Sequence, residues 1–72
     1  MKSNFVKDWR LVRTFSGAVQ MHGTIYNDTK GRFLDGARIG TSKVLRVDFE
    51  SGVLVTKNTT YNLDIGSDGN NG

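Results

Sequence analysis

The segment Val19-Gln20-Met21-His22-Gly23-Thr24-Ile25-Tyr26 decides the fold, because its apolar and polar side chains alternate. In a β-strand, successive side chains point to opposite faces. Residues 19, 21, 23 and 25 are therefore predicted to face a core, and residues 20, 22, 24 and 26 to face outwards. Gly23 lies in the middle of the inner face, where glycine indicates a bulge or the close approach of another backbone.

Further short runs rich in β-branched and aromatic residues lie on both sides of this segment, separated by glycine or polar turns. Such spacing is typical of strands joined by tight turns. Turns are predicted at residues 27–31, 35–36, 50–52 and 58–59. The predicted strands are residues 9–15, 19–26, 38–42, 44–49, 53–56 and 61–65.

The orientation of three of these strands follows from period-two spacing. Leu45, Val47 and Phe49 are expected to share the inner face of their strand. In the next strand the inner face is formed either by Val53 and Val55 or by Leu54. In the last strand the apolar residues alternate, at Tyr61, Leu63 and Ile65.

The first run has two interpretations. As a strand, it places Trp9, Leu11 and Phe15 on one face, which Arg13 interrupts. As a helix over residues 4–14, it aligns Phe5, Trp9 and Val12 on one side. The strand is favoured, and the helix remains the alternative.

The sequence therefore predicts an all-β domain over residues 9–65, a five- to six-stranded antiparallel barrel or sandwich of SH3-like or OB-like type. Curling lets such a sheet bury its apolar face and protect its edges. Residues 1–8 are assigned to an N-terminal arm. Residues 66–72 contain no apolar side chain and are predicted to form a mobile tail.

The chain has 72 residues and no cysteine, so disulfides and cysteine-based zinc sites are excluded. One apolar core in a domain of this size rarely supplies more than about 3–5 kcal/mol. Self-association or a partner is a common supplement, and monomer and homo-oligomer are equally open. The sequence shows no signal peptide and no apolar run near the ~20 residues of a membrane span, so the cytoplasm is the expected location.

The stretch Arg32-Phe33-Leu34-Asp35-Gly36-Ala37-Arg38-Ile39-Gly40-Thr41-Ser42-Lys43-Val44 resembles a group of small phage and prophage proteins. These share a Phe-x-Asp-Gly-x-x-Ile-x-Thr-Ser-x-Val core and a closing Val-x-Thr…Tyr-x-Leu pair, which here is residues 53–56 and 61–63. Gly17-Ala18-Val19 is similar to their upstream strand, whereas Thr59-Thr60 replaces their usual Ser-Gly. The resemblance implies a phage origin and a β fold, and it assigns no activity.

Two roles are open for Thr41 and Ser42 in this motif. Their hydroxyl groups are expected to hydrogen-bond local backbone at a strand end, as short polar side chains commonly do. The alternative is a pair of hydroxyl groups that contacts a ligand.

Basic residues are the most informative candidates for a site, since the net charge is +3. Cations interleaved with exposed aromatics suit single-stranded nucleic acid, whereas solvated surface charges are the plainer interpretation. Tyr26 is the aromatic residue expected to face outwards. The candidate binding residues are Arg10, Arg13, Tyr26, Lys30, Arg32, Arg38, Lys43 and Arg46.

No residue set indicates catalysis, a metal or a cofactor. His22, the one histidine, is expected on the polar face without a nucleophile to activate, and the serines lack a triad context. The leading hypothesis is a non-enzymatic phage accessory protein that binds a host or phage protein. The alternatives are a small nucleic-acid-binding barrel and an oligomer that binds a small anion.

Overall fold

The computed structural model describes residues 2–65, which form six β-strands and no helix. The all-β prediction is confirmed, and the helix over residues 4–14 is wrong because β1 occupies that segment. The predicted tail, residues 66–72, lies outside the described residues. The strands are β1 Phe5–Arg13, β2 Val19–Tyr26, β3 Ala37–Gly40, β4 Val44–Asp48, β5 Val53–Thr56 and β6 Thr60–Leu63.

The strands form one sheet in the order β3-β2-β1-β6-β5-β4. Two antiparallel units, β1–β2–β3 and β4–β5–β6, meet where β1 pairs with β6. This junction is parallel, which differs from the predicted antiparallel sheet, and it consists of the pairs Phe5–Asn62 and Val6–Leu63. The first and last described strands therefore hold the two halves together.

The sheet curls, so that β2 and β4 approach each other although they are not neighbours in it. In the described chain, β3 and β4 remain the two edges, and the curl stops short of a closed barrel. The molecule measures 35 × 28 × 16 Å. Residues 2–65 contain no helix with the length and apolarity needed to span a membrane.

The core lies on the concave side of the sheet, where β2 presents the residues that its alternation predicts. Met21 and Ile25 have no exposed surface. Leu54 is also fully buried, so of the two options for β5 the one with Leu54 inward is correct. The buried apolar residues are Val6, Met21, Ile25, Ile39, Leu54, Tyr61 and Leu63.

The strand β1 begins at Phe5, within the segment assigned to an N-terminal arm. Val6 is fully buried, and residues 5–8 belong to the sheet. Asn4 fixes this start, because its N–H donates to Asn27 O at 2.9 Å and its carbonyl accepts from Asn62 N–H at 2.9 Å. Alternation does not predict this part of the strand, because the polar pair Lys7-Asp8 interrupts the apolar spacing.

A bulge in β1 causes that interruption. Lys7 is paired with Thr24 and Arg10 with His22, so two β1 residues, Asp8 and Trp9, lie opposite Gly23 alone. Asp8 in this bulge has left-handed backbone geometry, with φ 51. A Cβ at position 23 would overlap Val6 Cγ1 and would lie 3.1 Å from Trp9 Cβ, so the bulge requires glycine.

Two predicted orientations are wrong for the same kind of reason. A second irregularity between Val44 and Arg46 turns Leu45 outwards, with 59% exposure, while Val44 and Val47 pack against the core. Phe15 lies in the turn after β1 and is fully exposed instead of continuing the inner face of the strand. Period-two spacing fails wherever a bulge or a turn adds a residue.

We expect Gly23→Ala to destabilise the fold by about 1–3 kcal/mol, because the new methyl group has no space beside Val6. Urea unfolding followed by the fluorescence of Trp9 measures this loss. Gly40→Ala is the matched control, since the nearest atoms to its Cβ would be those of the His22 side chain, at 3.3 Å or more. Its free energy of unfolding should change by less than about 0.5 kcal/mol. Equal stability of the two variants would contradict the role given to Gly23.

Candidate functional site

The convex face of β1–β2–β3 gathers three basic side chains. The bulge places Lys7 and Arg10 on the same face although they are three residues apart, because each is paired with an outward-facing residue of β2. Arg38 of β3 joins them through its pairing with Thr24. We call this surface the basic face. Its residues are paired across neighbouring strands as Phe5–Tyr26, Lys7–Thr24–Arg38 and Arg10–His22.

Two cations of the basic face, Lys7 and Arg38, are held in place without a carboxylate partner. Arg38 Nη1 donates to Thr24 Oγ1 at 3.0 Å and to the carbonyl of Asp8 at 3.5 Å. Lys7 Nζ lies 5.5 Å from the centre of the Tyr26 ring, which is a cation–π contact. Within residues 2–65 the one ion pair is Arg32–Asp28, so Lys7, Arg10 and Arg38 have no carboxylate within ion-pair distance.

Mutual repulsion on the basic face is small enough for the fold to tolerate. Lys7 and Arg38 are separated by two strand spacings, about 10 Å. At that distance two unit charges repel by about 0.4 kcal/mol in water, and physiological salt screens most of it. The face therefore stays positive at little cost, and an anion can approach it.

Of the predicted binding residues, the structure brings Arg10, Tyr26 and Arg38 together. The others are dispersed. Arg13 is paired with Val19 near the end of the β1–β2 hairpin, and Arg46 is paired with Val55 on the far half of the sheet. The remaining predicted cations lie on connecting segments: Lys30, Arg32 and Lys43.

A cleft of about 170 Å³ opens between the loop after β2 and the turn between β5 and β6. Two cations lie at it, but both have partners: Lys30 Nζ donates to Asn58 O at 2.8 Å and to Thr59 Oγ1 at 3.1 Å. Arg32 lies 3.7 Å from the Asp28 carboxylate. The lining residues are Arg32, Phe33, Ile39, Gly40, Thr41, Ser42, Thr56, Asn58, Thr59 and Tyr61.

The Thr41 hydroxyl at this cleft serves the fold. It accepts from Met21 N–H at 3.0 Å and donates to Ser42 O at 2.8 Å, so it continues the pairing of β2 beyond the end of β3. The prediction that this hydroxyl bonds backbone is confirmed for Thr41. With Thr41, Lys30 and Arg32 already bonded, the cleft offers an anion fewer free donors than the basic face does.

The carboxylate of Asp28 organises the loop that borders the cleft. Its oxygens accept from the backbone N–H groups of Arg32 at 2.7 Å, Phe33 at 3.0 Å and Lys30 at 3.4 Å. Burial of the carboxylate raises its pKa, but these three hydrogen bonds and the Arg32 guanidinium outweigh that effect. The pKa of Asp28 is therefore lowered from the ordinary value of 3.8.

The tip of the β1–β2 hairpin, residues 14–18, presents an aromatic ring to solvent. Thr14 N–H donates to Ala18 O at 2.8 Å, and Gly17, at φ 87, donates to Thr14 O at 3.0 Å. These bonds define the turn, and the Phe15 side chain between them has a relative exposure of 114%. A fully exposed phenylalanine on an ordered turn gains nothing from folding.

A second aromatic group lies near the junction of the two halves. The rings of Trp9 and Phe49 stack with centres 6.2 Å apart, and Trp9 Nε1 donates to Asp64 O at 2.9 Å. Phe49 remains 57% exposed and Ile65 48% exposed. Trp9 thus links β1 to the segment after β6, and Phe49 and Ile65 keep apolar surface in contact with water.

His22 lies on the basic face, as its strand position predicts, with Nε2 3.4 Å from Gln20 Oε1. In residues 2–65 no three His, Cys, Asp or Glu side chains are grouped closely enough to hold a metal ion. Comparison with protein-family models, with curated proteins and with solved structures finds no match to this chain.

Sequence reasoning missed Lys7 and Phe15. Lys7 was left out because residues 1–8 were assigned to an arm, yet Gly23 already signalled a bulge that would bring a neighbouring strand close. Phe15 continues the spacing of Trp9 and Leu11, so alternation predicts that it shares their strand face. The Ser16-Gly17 pair after it signalled the turn that exposes it.

We expect Asp28→Asn to cost about 1–3 kcal/mol at pH 7, since an amide leaves loop N–H donors poorly satisfied. Because the pKa of Asp28 is lowered by folding, its ionised form stabilises the protein above about pH 4, and this contribution is lost as the pH falls below that value. Urea unfolding between pH 2 and 7 should therefore show that the free energy of unfolding falls less with decreasing pH for the variant than for the unmodified protein.

Glu50→Gln removes the same charge from the exposed turn after β4 and serves as the control. The free energy of unfolding of this variant should fall with decreasing pH as it does for the unmodified protein. Parallel acid curves for Asp28→Asn and the unmodified protein would contradict the role given to the Asp28 carboxylate.

Proposed function

We propose that this chain is a non-enzymatic phage accessory protein that binds a host or phage protein in the cytoplasm of the host cell. The observation that carries the proposal is Phe15, a fully exposed aromatic ring on a hydrogen-bonded hairpin tip. Aromatic side chains are enriched in protein interfaces, and a contact held on an ordered turn loses less conformational entropy on binding. The proposed partner buries this ring.

The strand leading to Phe15 adds a second means of contact. Along the described chain, β1 pairs with β6 only at Phe5 and Val6, whereas its pairing with β2 continues to Arg13. Residues 10–13 therefore have one side of their backbone without a neighbouring strand. A partner that adds a strand there would form backbone hydrogen bonds and cover Phe15 together.

The phage part of the proposal is supported by the resemblance of residues 32–44 and of the closing strand pair to small phage proteins. In the structure these segments form the loop and turn around the cleft, together with β3, β5 and β6. In this proposal the segments that resemble phage proteins form the scaffold, and the hairpin tip contacts the partner protein. Interference with a host defence or with host gene expression is the setting proposed for such a binder.

We expect Phe15→Ser to weaken partner binding about 10- to 100-fold, because burying one phenylalanine side chain is worth about 1.5–3 kcal/mol. Its melting temperature should not change, since the ring is fully exposed. Affinity capture from host lysate with the unmodified protein and the variant, quantified by mass spectrometry, identifies proteins that depend on Phe15. Titration with the purified partner then measures the affinity.

Leu34→Ser is the matched control, because Leu34 is 86% exposed and lies in the loop beyond the other end of β2. β2 has 8 residues, so this loop is about 26 Å from the hairpin tip. This variant should retain the partner. Capture of no stoichiometric protein, or equal capture by Phe15→Ser, would argue against the proposal.

A further inference from the structure

We infer that the basic face of β1–β2–β3 binds single-stranded nucleic acid, with phosphates at Lys7, Arg10 and Arg38 and a base stacked at Tyr26. The inference uses the convex side of the sheet and does not involve Phe15. It therefore stands independently of the proposed protein partner.

The first support is convergence of positive charge on one surface. The bulge opposite Gly23 turns both Lys7 and Arg10 outwards, and strand pairing adds Arg38 beside them. In residues 2–65 none of these three cations has a carboxylate within ion-pair distance. Three cations grouped on one face attract a polyanion, since each can neutralise a phosphate.

The second support is the aromatic ring within the cationic surface. Tyr26 is half-buried, with Lys7 Nζ over its ring at 5.5 Å, and it is paired with Phe5 on the same face. Unpaired bases stack on such rings, and every base has a π-face, so binding of this kind tolerates sequence. In a duplex the base faces are stacked on one another and cannot reach Tyr26, and an acidic peptide contains no bases.

The size of the surface agrees with a short single strand. The three strands span about 10 Å in width, and the outward-facing positions of β1 from Phe5 to Val12 extend about 25 Å. Small β domains bind about 4–16 nucleotides on surfaces of this kind. The polar side chains of His22 and Thr24 lie between the cations and supply hydrogen-bonding groups along the path.

The test is fluorescence anisotropy with labelled 12-nucleotide oligo-dT and oligo-U between 50 and 200 mM salt. Three neutralised phosphates predict a slope of log K against log salt of about −2, which is about a 20-fold loss of affinity over that range. Arg10→Ala combined with Arg38→Ala should reduce the slope to about −0.7.

The matched control is Lys43→Ala combined with Arg46→Ala, which lowers the net charge by the same amount at exposed positions outside the basic face. It should keep the slope near −2. Tyr26→Leu should weaken binding at least about fivefold and leave the slope unchanged, because stacking releases no counterions. Amide chemical shifts of the unmodified protein should change along β1, β2 and β3 on addition of oligo-dT, and this readout needs no variant.

Four results would overturn the inference. These are no binding at 50 mM salt, equal losses in the two double variants, equal affinity for a 12-residue polyglutamate, and equal affinity for a duplex. Phe15→Ser should bind the oligonucleotides as the unmodified protein does, so failure here is distinguishable from failure of the protein-binding proposal.

Discussion

The close approach of β1 to β2 at Gly23 is the constraint on which the rest of the structure depends. Without a Cβ at this position, the side chains of Val6 and Trp9 and the carbonyl of Lys7 come near enough for two residues of β1 to face one of β2. That extra residue sends the Trp9 side chain towards Phe49 and Asp64, and it sends Arg10 to the opposite side. One glycine therefore determines both the packing on the concave side of the sheet and the positive charge on its convex side.

The core that this arrangement encloses is small, and polar contacts between distant segments supplement it. Between residues 2 and 65, seven apolar residues are buried, whereas several large apolar side chains remain in contact with water. Asn4, Asn62 and Trp9 join the start of the chain to its end through backbone and side-chain hydrogen bonds. Thr41 extends the pairing of β2 with the edge strand β3, and Asp28 bonds the backbone of the loop after β2. One core in a domain of this size rarely supplies more than about 3–5 kcal/mol, so contacts worth about 1 kcal/mol each matter to its stability.

The sequence predicted the parts of the fold that follow from strict alternation and from turn chemistry. β2 appears with its predicted inner face, the turn at Asp35-Gly36 has glycine at φ 91, and the turn at Gly52 has φ 74. The start of β1 and the orientation of Leu45 could not be predicted, because each depends on a bulge that shifts the register by one residue. The parallel junction of β1 and β6 was equally inaccessible, since pairing between strands so far apart in sequence depends on the assembled sheet.

The candidate site shows the same division. Tyr26 and His22 were placed on the outer face by alternation alone, and Arg10 and Arg38 were selected for their charge. That these cations lie together, and that Lys30 and Arg32 are occupied by their own loop, emerged only from the three-dimensional arrangement. Residue type identifies candidates, whereas cross-strand register decides which of them are neighbours.

Joining the first strand to the last has a consequence for synthesis on the ribosome. Val6 pairs with Leu63, and Asp64 receives the indole hydrogen bond from Trp9, so the nascent chain lacks its central contacts until almost the whole domain has been translated. Contacts this distant in sequence also slow folding, because the chain loses entropy before they form. Until then the β1–β2 hairpin emerges with its apolar side uncovered, and chaperones have time to engage it.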